Sequence, residues 1–246
     1  MGNILVKITN VCNFECPYCC EGSNANGLHG NIMDADFLNK INTADSVTLT
    51  GGNPMSHPDL MPFLYIMKSF NVPVNIVVHQ KHFMDDVALF QILQENSLVS
   101  AVYVTVGVPD DKFVEAVNSV PNCFPQLILG LAYPAYIKKL FGHDMSIRFL
   151  GYRRDNRGNS YYVRNADIRI KMDASVQWVK QNVNLINENM LWVMYDKLAT
   201  EQLEFHVDEL AECLYEDVLI KDYDEFYDLS VTQIERVCYD ESNDKP

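Results

Sequence analysis

The sequence predicts an α/β protein built as a partial (β/α)6 TIM-like barrel, on two observations. Six short runs are rich in β-branched and apolar residues, and a helix-like segment fits between consecutive runs. Parallel strands joined by helices cross over with one hand, so such a sheet curls rather than staying flat. The strands in order are 3–9 (Asn-Ile-Leu-Val-Lys-Ile-Thr), 46–50, 73–78 (Pro-Val-Asn-Ile-Val-Val), 100–106, 126–131 and 145–150. The helices are 34–42, 58–69, 82–96, 110–119 and 134–141, with Asp34 and Pro58 as start signals.

Two motifs follow the first two strands. Directly after the first comes Thr9-Asn10-Val11-Cys12-Asn13-Phe14-Glu15-Cys16-Pro17-Tyr18-Cys19, a C-x3-C-x2-C spacing. Cysteine thiolates are the usual ligands of iron-sulfur clusters, and three on one short loop hold three irons of a cubane and leave the fourth open. A structural zinc site is the rival reading. It needs a fourth ligand, for which the adjacent Cys20 is available, but zinc sites usually pair two separated C-x2-C units and no second pair exists. The second strand ends in Gly51-Gly52-Asn53-Pro54, where glycines suit a close backbone approach to a ligand. In a barrel of parallel strands both motifs lie at the carboxyl-end mouth, where active sites are built.

The cysteine spacing, the aromatic before the third cysteine and the glycine turn resemble the radical S-adenosylmethionine (radical SAM) superfamily. The resemblance covers roughly residues 1–150 and implies the same partial barrel. It implies a 4Fe-4S cluster on Cys12, Cys16 and Cys19 that reductively cleaves S-adenosylmethionine to methionine and a 5'-deoxyadenosyl radical, which abstracts hydrogen from substrate. It further implies cofactor contacts from Tyr18, Gly51, Gly52, Asn53 and Pro54, and from the later strand ends at His79, Thr105 and Gly151. The chain departs from the family at Asn53, where a glutamate usually stands. An amide oxygen can accept from an ammonium, but charge-assisted bonds contribute about 1.5 to 3 kcal/mol against about 1 for neutral ones. Small members such as 7-carboxy-7-deazaguanine synthases and glycyl-radical-enzyme activases are similar in size; the synthases place a threonine where this chain has Cys20. An activase acting on a protein or peptide, or a non-enzymatic cluster-bearing protein, are the alternatives. Gln80, Tyr133 and Tyr152 fall on the same mouth, and His79 also reads as an ordinary loop or core histidine.

Composition narrows the partners. The chain has 246 residues, 48% apolar, and a formal net charge of -14, which disfavours broad nucleic-acid binding. No apolar run reaches the roughly 18 to 20 residues of a membrane helix. Seven cysteines without an apolar signal segment, and no Ser or Thr at position 6 for myristoylation, predict a cytoplasmic protein. Cys123, Cys213 and Cys238 read as small buried hydrophobes. A reductase or flavodoxin-type electron donor is the expected protein partner.

Arginine is unevenly placed: six of the seven, Arg148, Arg153, Arg154, Arg157, Arg164 and Arg169, fall in 148–169. Residues 151–158 read as a loop over the mouth. Guanidinium forks match carboxylate and phosphate, so Arg153, Arg154 and Arg157 are candidate ligands for a small anionic, nucleotide-like substrate. They read equally as docking groups for residues 173–246, which hold 18 of the 33 acidic residues. The division is therefore a core of 1–172 and an acidic, mainly helical extension of 173–246 packed on it, with Glu241–Pro246 a disordered tail.

Overall fold

The computed structural model describes residues 2–164, 166–204, 218–220, 223–230 and 235–237. Cys213, Cys238 and the tail from Glu241 lie outside the described residues. All six expected strands are present: β1 (Asn3–Thr9), β2 (Ser46–Gly51), β3 (Val74–His79), β4 (Ala101–Thr105), β5 (Cys123–Ile128) and β6 (Ile147–Leu150). The strand expected at 126–131 starts earlier, at Cys123, despite Pro125. That proline sits where β5 pairs only with β4, because pairing to β6 begins at Gln126, so its missing N–H removes no ladder bond on the other side.

Between the strands run α1 (Ala35–Ile41), α2 (Leu60–Ser69), α3 (Gln80–Asp85), α4 (Val87–Glu95), α5 (Asp111–Ser119) and α6 (Pro134–Lys139). Asp34 caps α1 as expected, its carboxylate accepting from Phe37 N at 2.9 Å. The single helix expected at 82–96 is two, broken at Asp86, whose φ of -133° is not helical.

After β6 the expected loop ends at Asp155 and helix takes over: α7 (Asn156–Arg164), α8 (Ala166–Gln181) and α9 (Val183–Glu188). Position 172 lies inside α8. The C-terminal stretch supplies helices, including α10 (Lys197–Gln202), but also strands β7 (Val193–Tyr195), β8 (Val218–Ile220), β9 (Glu225–Asp228) and β10 (Glu235–Val237). The sheet order is β10-β9-β1-β2-β3-β4-β5-β6-β7-β8; every neighbour is parallel except β10 on β9. The result is an open half-barrel. The added strands are short, and Asp, Glu and Tyr dominate 223–228, which reads as a solvated helix face on composition.

Alternation fixes what each face does. Register aligns Val6, Leu49, Ile76 and Val102 across four strands, all fully buried under the helices. The opposite face aligns His79, Thr105, Gln126, Arg148 and Met194 in one row. That inner face is polar: Lys7, Thr48, Asn75, Gln126 and Arg148 are all buried. Arg148 donates to Gln126 Oε1 and Tyr223 Oη and lies 5.6 Å over the Tyr103 ring.

Candidate iron-sulfur and cofactor site

The cysteine loop leaves β1 and folds back along its own entry. Asn10 N donates to Leu28 O (2.8 Å), Cys12 N to Asn24 O (2.9 Å), Asn24 N to Asn10 O (3.1 Å) and Gly30 N to Ile8 O (2.8 Å). Glu15 takes a left-handed φ of 43°, which reverses the chain between the first two cysteines, and Cys19 N donates to Cys16 O. Cys12 is buried; Cys16 and Cys19 are half-buried. Burial, then the charges of the neighbouring Cys19 and Cys12, push the Cys16 thiol up to about 12. Among the described residues no three His, Cys, Asp or Glu side chains gather tightly enough for a lone metal ion. A cubane is larger, each ligated iron taking its own thiolate. Three thiols on one loop are a donor set that fits it.

The glycine turn docks on this loop. Gly52 N donates to Thr9 O (2.8 Å) and Asn53 N to Val11 O (2.7 Å). A Cβ on Gly52 would stand 2.2 Å from Val11 O, and one on Gly51, with φ +120°, 2.1 Å from Thr9 O. Both glycines are thus required by the approach of the two motifs to each other. Asn53 starts the short 3-10 turn Pro54–Ser56, its Oδ1 accepting from Met55 N at 3.3 Å.

Helix α7 clamps the far arm of the loop. Arg157 donates from Nε to Cys16 O (2.9 Å) and from its terminal nitrogens to Gly22 O (3.4 Å) and Ser23 O (2.6 Å). Asn156 Nδ2 donates to Cys20 O (2.6 Å). The Arg157 fork, expected to reach for substrate, is thus spent on the cysteine loop. Arg153 lies near Cys20, and Arg154 is exposed with its guanidinium 3.9 Å from the Tyr162 ring centroid. Lys7 secures the loop from beneath through Glu21 (2.9 Å) and Asp228 (3.4 Å). Burial disfavours its charge, but those two carboxylates more than offset it and raise its pKa.

His79 and Thr105 end adjacent strands and stand side by side in register. His79 caps α3, its Nδ1 accepting from Lys81 N, and packs 4.4 Å from the Phe14 ring of the cysteine loop. Burial, then His82 and Lys81, lower its pKa to about 4, so the ring is neutral. Its Nε2 is buried with no hydrogen-bond partner, an opening that fits a polar ligand group at the mouth. Tyr18 meets Tyr161 edge-on at 5.8 Å, and Tyr133 meets Tyr136 at 5.5 Å. Gly151 lies under α10: its N donates to Asp196 Oδ1, and a Cβ would stand 2.3 Å from Leu198 Cγ. Packing alone accounts for that glycine. The sequence reading missed His82, whose Nε2 lies 3.4 Å from Cys12 Sγ. The signal was present in the spacing, since His79 and His82 are one helical turn apart directly after a strand end.

No family model and no curated protein sequence matches the chain. Solved structures do. Streptococcus suis SuiB bound to precursor peptide SuiA superposes with a TM-score of 0.56 at 14% identity, covering 94% of this chain and 58% of that one. The fold is similar to that of SuiB. The S-adenosylmethionine-bound SuiB structure gives a TM-score of 0.53 at 12% identity, covering 95% of this chain and 62% of SuiB. This chain therefore spans about three-fifths of SuiB's length. The shared feature is the curled parallel half-barrel, the architecture implied by the radical SAM resemblance. Among the described residues no helix is long and apolar enough to cross a membrane.

Proposed function

We propose that this chain is a radical SAM enzyme, with a 4Fe-4S cluster on Cys12, Cys16 and Cys19 and S-adenosylmethionine against the Gly51–Pro54 turn. One observation carries the reading: the two motifs are hydrogen-bonded to each other at the carboxyl-end mouth of an open parallel barrel. When bound, the cluster and S-adenosylmethionine supply reductive cleavage to methionine and a 5'-deoxyadenosyl radical, which abstracts hydrogen from substrate. The chain's own residues hold and orient. Tyr18 offers a ring face to the adenine, while His79 and Thr105 offer polar groups from adjacent strand ends. Gly151 is kept as a backbone contact at the sixth strand end. Residues 1–172 carry this machinery, and the described strands β7 to β10 extend its sheet at both edges. A cytoplasmic reductase or flavodoxin-type protein supplies the electron.

The substrate is an anionic, nucleotide-like small molecule held at Arg153 and Arg154. A peptide is the second reading, favoured because the similar SuiB was solved with a precursor peptide. Anaerobic reconstitution followed by dithionite and S-adenosylmethionine tests the class. Wild type binds iron and releases 5'-deoxyadenosine, and the Cys12, Cys16, Cys19 triple alanine variant does neither. Iron without 5'-deoxyadenosine identifies a non-enzymatic cluster protein and overturns the proposal. Stimulation of 5'-deoxyadenosine release by nucleotides in wild type, and its loss in the Arg153→Ala, Arg154→Ala variant, supports the small anion; stimulation by peptides alone supports the second reading.

A further inference from the structure

Cys12 and His82 form a contact that cluster binding alone does not require. Helix α3 starts at the residue after β3, so one turn later His82 is carried back toward the cysteine loop. His82 is 8% exposed, Cys12 is 9% exposed, and Nε2 to Sγ is 3.4 Å. The two residues are 70 apart in sequence, so the contact is made by the fold. An iron-bound thiolate has lost its proton and keeps only lone pairs. Facing it, Nε2 must therefore carry hydrogen and donate.

We propose that His82 is a positioning residue for the cluster: its Nε2–H donates to the Cys12 sulfur, fixes that ligand and sets the cluster's reduction potential. The inference rests on the cluster assignment above. A donor to a ligand sulfur draws charge away from the iron and favours the reduced state, and such bonds are among the levers that set cluster potentials. The bond is also dry, so water does not compete for the donor.

The test is dye-mediated redox titration at pH 7.5, followed by electron paramagnetic resonance, of anaerobically reconstituted full-length wild type, His82→Phe and His82→Gln. Phenylalanine keeps bulk and removes the donor; glutamine keeps an N–H at a similar reach but on a flexible chain. The expected result is wild-type iron content in all three, a midpoint potential shifted negative in His82→Phe, and a smaller shift in His82→Gln. An unchanged potential in His82→Phe with iron retained overturns the inference, as does loss of iron from both variants, which would make His82 a purely structural support. A wild type that takes up no iron refutes the cluster assignment instead, so the two failures are distinguishable.

Discussion

Changing Arg157 to alanine removes the fork that holds the cysteine loop against α7. Of its three contacts, those to Cys16 O and Ser23 O, at 2.9 and 2.6 Å, are of full strength, and that to Gly22 O, at 3.4 Å, is marginal. Hydrogen bonds from a charged donor contribute about 1.5 to 3 kcal/mol each. Two good ones bound the loss at about 3 to 6 kcal/mol, and the half-buried setting, where water replaces part of what is lost, brings it to roughly 2 to 4 kcal/mol. For a chain of this length that corresponds to a melting temperature lower by roughly 4 to 16 °C if the loss falls on global stability. If it falls on the loop alone, iron is lost instead, because Cys16 and Cys19 are no longer held. Calorimetry of the apoprotein together with iron content after reconstitution reads both cases. An Arg157→Ala protein with wild-type melting and full iron, yet no response to substrate, would refute the clamp and restore Arg157 to the substrate.

Two further outcomes follow from the same mouth. Gly52→Ala puts a Cβ 2.2 Å from Val11 O and should separate the glycine turn from the cysteine loop, so iron is lost before S-adenosylmethionine is added; normal iron uptake would show that the turn yields. His79 has a folded pKa near 4 against about 6.5 unfolded, so the unfolded chain binds the extra proton. Its contribution is present above pH 6.5 and is lost as pH falls toward 4, by up to roughly 3 kcal/mol. Urea unfolding at pH 7 and pH 4.5 should show a smaller drop for His79→Phe than for wild type, and equal drops would mean that His79 is not buried neutral.

The barrel was legible because its outer face is uniformly apolar: Val6, Leu49, Ile76 and Val102 need cover, and helical segments of matching length lie between them. Cys12, Cys16 and Cys19 were legible because ligands on one loop are neighbours in sequence. Strand β9 was not, since Asp and Glu beside Tyr carry no strand signal until β1 offers an edge to pair with. Nor was the duty of Arg157. A cluster of arginines states a charge, and only the fold shows that three backbone carbonyls 134 to 141 residues away receive it. Gly151 shows the same limit, for only the fold reveals that Leu198 of α10 stands against it.

Strand β9 bears on how the site comes into being. It lies beside β1 through Ile4↔Glu225 and Lys7↔Asp228, although more than two hundred residues separate them. During synthesis at about 5 to 20 residues per second, β1 therefore waits on the order of ten to forty seconds for that neighbour. Through that interval the strand that launches the cysteine loop is an open edge, with unpaired N–H and C=O groups and with Lys7 lacking Asp228. A lysine pointing from an open strand discourages pairing with another chain. Lys7 thus protects the nascent sheet before it anchors the finished loop.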